Sequence, residues 1–241
     1  MNYLDIKTTT LLSLLAGVGG TGLGGIYNFF IKQINIAQMN SILSFAGGIM
    51  LTAVFMELIP EAIQISGLAY TMLGIIIGIM FILATDIFLE KVMTEKQQYA
   101  RSAIVLFLAI AAHNFPEGMA IGSGFEASSQ VGLILVITLA IHNIPEGMAI
   151  ATSFRLSGMG PFKAFISTMI AGTPMALGSI VGHKLGHISP ILITISLGFA
   201  AGAMIYTVCD EILPDTFEVG QSSPWGFILG LITGVLLFNI L

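Results

Sequence analysis

Cysteine is nearly absent: Cys209 is the only one in 241 residues. A lone thiol excludes an internal disulfide and any cysteine-clustered metal site. Charge is also scarce, with 9% charged residues, eight Lys and Arg against 13 Asp and Glu, and a net charge of -5. So few basic residues leave no nucleic-acid patch, and no such partner is expected. Met1–Thr10 has neither a basic n-region nor a small-residue cleavage site, so no removable leader is expected. No low-complexity tract or separate soluble region interrupts the chain, and residues 1–241 read as a single transmembrane domain.

Apolar sequence fills the space that charge leaves. Hydrophobic residues make up 56% of the chain, and the mean hydropathy is +0.96. A soluble domain of this length could not bury so much apolar surface, so the lipid bilayer is its expected surrounding. A bilayer core takes roughly 20 apolar residues as helix. Eight stretches qualify, at about 8–29, 38–60, 67–89, 101–122, 129–151, 162–182, 189–213 and 224–241. The fold class is therefore an all-α integral membrane protein with eight transmembrane helices. Lys32, Lys91, Lys96, Arg101, Arg155 and Lys163 lie on the odd-numbered loops or at their edges, against Lys7 and Lys184 on the other side. This bias puts the odd loops in the cytoplasm and both termini outside. Localisation to the cell (inner or plasma) membrane as a multi-pass protein follows.

One nine-residue phrase occurs twice within these apolar stretches. It reads His113-Asn114-Phe115-Pro116-Glu117-Gly118-Met119-Ala120-Ile121 in the fourth span, and His142-Asn143-Ile144-Pro145-Glu146-Gly147-Met148-Ala149-Ile150 in the fifth. Ionisable groups at membrane depth face a partner, an ion or water rather than lipid. A second repeat links the second and seventh spans, where Gly48/Gly202, Met50/Met204, Val54/Val208, Glu57/Glu211 and Pro60/Pro214 coincide without a gap, with Glu61 opposite Asp215. Members of each matched pair run in opposite directions across the membrane. Both pairs thus predict one pseudo-twofold axis in the membrane plane, a 3+2+3 inverted repeat relating spans 1–3 to 6–8 around the central fourth and fifth. Such repeats build secondary transporters with a site at midplane.

His113 and Glu117 are four residues apart and share a helix face, as do His142 and Glu146. A loop of about seven residues, Gly122 to Ser128, makes the two helices antiparallel neighbours. Two imidazoles and two carboxylates form a mixed set suited to Zn²⁺, Fe²⁺, Mn²⁺, Co²⁺ or Cd²⁺. The carboxylates also cancel the ion's double charge where water is scarce. Pro116 and Pro145 free the carbonyls of Ala112 and Ile141. Asn114 and Asn143 add neutral oxygens, while Gly118 and Gly147 permit close helix approach. One such His–Glu pair can simply lock two helices. Two identical pairs on neighbouring helices, each with a proline, point to a metal site.

With its paired HNxPEG motifs, the chain resembles the ZIP (zinc/iron permease) family of divalent-metal transporters, in particular the prokaryotic zinc-uptake members. The eight spans, outside termini and 3+2+3 symmetry extend the resemblance over essentially the whole chain. It implies that His113, Glu117, His142 and Glu146 bind the primary metal and that Met50 can add a thioether. It further implies that Asn114 and Asn143 belong to a second site sharing Glu117 and Glu146. Spans 1, 4, 5 and 6 would move against 2, 3, 7 and 8, and a homodimer is implied as well. The chain departs from the pattern twice. Thr173 precedes the sixth-span Pro174 where many prokaryotic members carry glutamate, so a single well-ligated ion is expected. The cytoplasmic loop between spans 3 and 4 has no histidine.

Weaker signals surround this core. Glu57 near the outer end of span 2 and Glu211 near the inner end of span 7, assisted by Asp210, are candidates for the mouths of the path. Asp86 and Glu90 close span 3 and read as interface residues. His183 and His187 flank Lys184 in the sixth loop, where they can capture metal at the entrance. The Gly17–Gly25 run reads as a packing surface, and the 13 methionines chiefly as core.

The expected function is transport of Zn²⁺ or a similar divalent ion (Fe²⁺, Mn²⁺, Cd²⁺) into the cytoplasm by alternating access. The metal is the substrate, and no organic cofactor is expected. The alternatives are a selective metal channel and an intramembrane metal-dependent hydrolase. An enzyme is not expected, because no HExxH motif is present and nothing supplies an oxyanion arrangement.

Overall fold

The computed structural model describes residues 5–30, 35–185, 189–214 and 224–240. Seven helices within them are long and apolar enough to cross a membrane: α1 (Ile6–Phe30), α2 (Ile36–Ser66), α3 (Leu68–Val92), α4 (Gln98–Ala127), α5 (Ser129–Leu156), α6 (Pro161–Lys184) and α7 (Pro190–Ile212). A shorter apolar helix, α8 (Trp225–Ile240), completes the eight. Lipid offers no hydrogen bonds, so each backbone must satisfy itself as helix, and this carries the helices beyond the expected limits. The clearest correction is the connection between α4 and α5. Gly122 to Ala127 are helical, and only Ser128 separates the two helices. Its extended backbone turns the chain, while its side chain accepts from Val131 N at 3.1 Å. Asp5, Asn35 and Ser189 cap α1, α2 and α7 in the same manner.

Gly67 alone joins α2 to α3, with φ +87° and ψ 169°. Side chains strongly disfavour that region, so Gly67→Ala should cost about 1–3 kcal/mol. A thermal melt in detergent should show a lower midpoint than wild type; an unchanged midpoint would show that the turn relaxes without strain.

Glycines set the closest packing. Helices α1 and α5, α4 and α6, α2 and α8, and α3 and α7 lie side by side. A Cβ on Gly226, Gly230 or Gly48 would strike backbone of the facing helix at Ser41, Phe45 and Phe227, respectively. Gly74, Gly78 and Gly202 meet Ile195, Phe199 and Ile75 in the same register. These two sets are counterparts under the predicted repeat, so the α2–α8 and α3–α7 contacts are two copies of one arrangement. Between α1 and α5, Gly20 and Gly24 oppose Ala140 and Ile144, which confirms the packing role of the Gly17–Gly25 run.

The repeat extends to irregular backbone. Val54–Leu58 in α2 and Val208–Ile212 in α7 are π-helical turns at matching positions. Pro60 and Pro214 follow each turn. Each lacks an amide hydrogen and crowds the carbonyl four residues back, so the helix widens there. Glu57 and Glu211 sit in these turns. Glu57 therefore lies well inside α2, which continues to Ser66, rather than near its end. A third π turn, Leu15–Gly19, interrupts α1, and Pro174 divides α6 after Gly172.

Helices α2, α4, α5 and α7 build the centre, where Met50, Ile110, Ile150 and Met204 share one buried core. Outer faces of α3 and α8 expose Ile76, Ile77, Phe81, Leu229, Ile232 and Leu236, as lipid-facing surfaces do.

Candidate metal centre

Both copies of the repeated phrase lie within unbroken helix despite their prolines. Side chains of His113, Glu117, His142 and Glu146 converge where α4 and α5 cross, each at most 1% exposed. Glu146 is the hub. Its Oε1 accepts from His113 Nε2 at 2.8 Å and from His142 Nε2 at 3.0 Å. Glu117 Oε1 lies 3.7 Å from His142 Nε2. Donor atoms of His113, Glu117 and Glu146 fall within 4.8 Å of one another, and His142 joins them through Glu146.

The hydrogen-bond ledger is incomplete. Both oxygens of Glu117, Oε2 of Glu146, and Nδ1 of each histidine are buried without a hydrogen-bond partner. Buried carboxylate oxygens in apolar surroundings are costly unless a cation or donor meets them. This set presents acceptors in excess of donors at membrane depth. A divalent cation would satisfy that imbalance.

The asparagines follow the repeat as well. Asn114 Nδ2 donates to Ala171 O on α6 at 2.9 Å, and Asn143 Nδ2 donates to Ala16 O on α1 at 3.3 Å. Each amide thus braces a helix at its irregular point, leaving its Oδ1 buried and unpartnered. Thr173 does not approach these amides: it is exposed, and its hydroxyl donates to Ile170 O at 2.7 Å. The α6 side chain that does approach is Met175, fully buried with Sδ 3.9 Å from Asn143 Nδ2. No motif flagged Met175, since the repeated phrase includes no counterpart to it. Met50 is fully buried on α2, which packs against α5.

Other predicted residues fall toward the two ends. Glu57 is half-buried within electrostatic reach of His142. Asp210 and Glu211 on α7 are joined by Asp86 of α3, their carboxylate oxygens lying within 4.8 Å of one another. Asp86 is thus part of a cluster, whereas spacing along the sequence read it as an interface residue. Two helices distant in sequence, α3 and α7, had to meet before this was visible.

At the opposite end, His183 occupies the last turn of α6 rather than a loop. Its Nδ1 lies 3.0 Å from Glu126 Oε1 of α4. Glu126 went unnoticed because it is distant in sequence and belongs to no motif. His187, Lys32 and Asp215 lie outside the described residues. Asp5 is close enough for the His183 charge to act on it, but the Thr8 hydroxyl and amide are what chiefly hold its carboxyl below the usual range.

Comparison with known proteins decides the family. The model described as "ZIP Zinc transporter" matches residues 93–241, a stretch that includes both copies of the phrase. The chain belongs to the ZIP zinc transporter family. It is 32% identical over 256 residues to "Zinc transporter ZupT" of Chlorobium phaeovibrioides, covering 96% of this chain and 95% of that protein. "Zinc transporter ZupT" of Clostridium perfringens is 28% identical, with coverage of 96% and 95%. "Zinc transporter ZIPB" of Bordetella bronchiseptica is 32% identical, covering 94% of this chain and 78% of the relative. A ZIP-family chain is a multi-pass membrane protein of a transporter family, not an enzyme. In it the buried His/Glu cluster has the chemistry of a metal site.

Proposed function

We propose that this chain carries Zn²⁺, or a similar divalent ion such as Fe²⁺, Mn²⁺ or Cd²⁺, into the cytoplasm by alternating access. The carrying observation is the group of His113, Glu117, His142 and Glu146, fully buried with more acceptors than donors. In this reading the four side chains hold the primary ion, and Met50 adds a thioether. Burial of all four side chains to at most 1% exposure favours a carrier over a channel, because an ion held there must wait for the helices to rearrange. Asn114 and Asn143 would offer their free oxygens to a second ion shared with Glu117 and Glu146. Thr173 contributes no ligand on this view, so the second position is the weaker one. Glu57 serves the outer half of the path, and Asp210 and Glu211 the cytoplasmic end. His183, paired with Glu126, and His187 would receive metal at the entrance.

The test is competitive uptake into proteoliposomes across Zn²⁺, Fe²⁺, Mn²⁺ and Cd²⁺, repeated with His113→Ala, Glu117→Ala, His142→Ala and Glu146→Ala. Each of the four should reduce uptake to the level of empty vesicles. Saturable uptake without single-channel current separates carrier from channel.

Acid should weaken binding. Each histidine has to be neutral to lend a ring nitrogen to the ion, so protons compete with Zn²⁺ for these positions. The dissociation constant for Zn²⁺ should therefore rise on going from about pH 7.5 to about pH 5.5. Isothermal titration at several pH values measures the slope, which counts the protons released. A flat profile would mean that the histidines are not ligands.

A further inference from the structure

Arg101 begins the cytoplasmic turns of α4, the helix that also carries His113 and Glu117. Its Nε lies 3.6 Å from Asp86 Oδ1, and its Nη1 lies 3.5 Å from Glu90 Oε1. Both acids belong to α3. Neither distance is that of a close charge-assisted hydrogen bond. Asp86 is 8% exposed, yet its Oδ1 has no hydrogen bond, and neither has Arg101 Nε. Asp86 also points into the group formed with Asp210 and Glu211 of α7. One guanidinium therefore stands beside two carboxylates of α3, and one of these, Asp86, adjoins two more on α7.

Two cavities adjoin this group. A small one of about 20 Å³, lined by Leu43, Tyr99, Ser102, Ser153, Leu156 and Glu211, has room for about one water. It lies between α5, the helix of His142 and Glu146, and the acidic group. A larger one of about 320 Å³ is lined by Glu90, Met93, Thr94, Gln98 and Arg101. Arg101 stands at its wall, at the cytoplasmic end by the distribution of basic residues.

Three carboxylates within reach of one another would hold a departing divalent ion tightly and slow its release. A tethered cation counters that by competing for the same oxygens. We propose that Arg101 is the built-in counter-ion of this exit: it offsets part of the negative charge of the Asp86–Asp210–Glu211 group between ions, yields to each arriving ion, and returns to expel it. The loose pairing distances and the unsatisfied Asp86 Oδ1 are what an exchangeable partner requires, whereas a structural bridge would be close and bidentate. Arg101 is thus a positioning residue for release. This inference rests on the transport direction proposed above.

The experiment uses the full chain with Zn²⁺ alone as probe. Equilibrium dialysis counts bound ions, and proteoliposomes give the maximal uptake rate. Arg101→Gln should bind one more Zn²⁺ per chain and lose about tenfold in maximal rate, while half-saturation outside is unchanged. Arg101→Lys keeps the charge and should keep most of the rate. Asp86→Asn combined with Arg101→Gln should shed the extra ion and recover uptake, which a merely structural role for Arg101 would not allow. A wild-type rate in Arg101→Gln, a lost rate without an extra ion, or failure of the double variant to recover each overturns the proposal. Repeating the dialysis in a His142→Ala background separates the two readings. There the extra ion of Arg101→Gln should persist, whereas wild-type uptake by His142→Ala would sink the central site alone.

Discussion

Glu146→Gln is expected to abolish Zn²⁺ uptake while leaving the protein folded. The substitution keeps shape and volume and removes only the charge and one acceptor oxygen. Glu146 Oε1 is the single atom to which both imidazoles bond, at 2.8 and 3.0 Å. The amide oxygen can still accept both of those bonds, but the amide nitrogen offers no ligand. The ion would then meet one carboxylate instead of two, in a site at most 1% exposed where water cannot make up the difference. Loss of a charged ligand should weaken binding by about 100-fold or more, roughly 2.8 kcal/mol at 1.4 kcal/mol per tenfold. The checks are Zn²⁺ titration of the purified variant and initial-rate uptake into proteoliposomes. An unchanged helical signal and elution volume would show that the fold survives. Glu146→Gln transporting at the wild-type rate would remove the hub from the site, and with it the proposed function.

Gly147→Val should have an equally large effect by a different cause. A Cβ at Gly147 would strike the carbonyl of Thr21 on α1, and its counterpart Gly118 stands in the same relation to Met175 on α6. The obstacle is backbone, which cannot rotate aside as a side chain can. To admit valine, α1 must back away from α5, opening the contacts made by Gly20 and Gly24 and pulling Ala16 from Asn143. Overpacking typically costs about 1–3 kcal/mol, and an obstacle of backbone puts this site at the upper end; helix pairs in lipid have no hydrophobic drive to offset it. The expected result is little monodisperse protein after extraction and a sharply lower melting midpoint in what remains. Gly19→Ala on α1 is the control, since nothing lies within 4 Å of its added Cβ. It should behave as wild type. Equal losses from both substitutions would mean that glycine flexibility, not close approach, is the requirement.

Most of the architecture was written locally. Hydropathy sufficed for eight helices because lipid leaves the backbone no choice but to bond to itself. The His–Glu faces of α4 and α5 were legible because four-residue spacing on a helix is fixed geometry and the phrase is duplicated. The inverted repeat was legible in the Gly48/Gly202 register, and the paired glycine contacts reproduce it. Helix ends were less accessible. The Gly122–Ser128 loop proved helical up to Ala127, because glycine and serine signal turns in water but remain helical in lipid. The π turns under Glu57 and Glu211 arise from prolines further along the chain, which a simple helical wheel does not register.

What the sequence determined by itself was which helices exist, how they repeat, and which four side chains form the buried His/Glu group. Tertiary structure alone decided which of the remaining polar groups meet. Asp86 joined Asp210 and Glu211, Arg101 faced Asp86 and Glu90, His183 paired with Glu126, and Met175 rather than Thr173 came up beside Asn143. The physical reason is common to all of them. Contacts within one helix follow from its period, whereas contacts between helices depend on approach distances that glycines and backbone distortions set elsewhere in the chain.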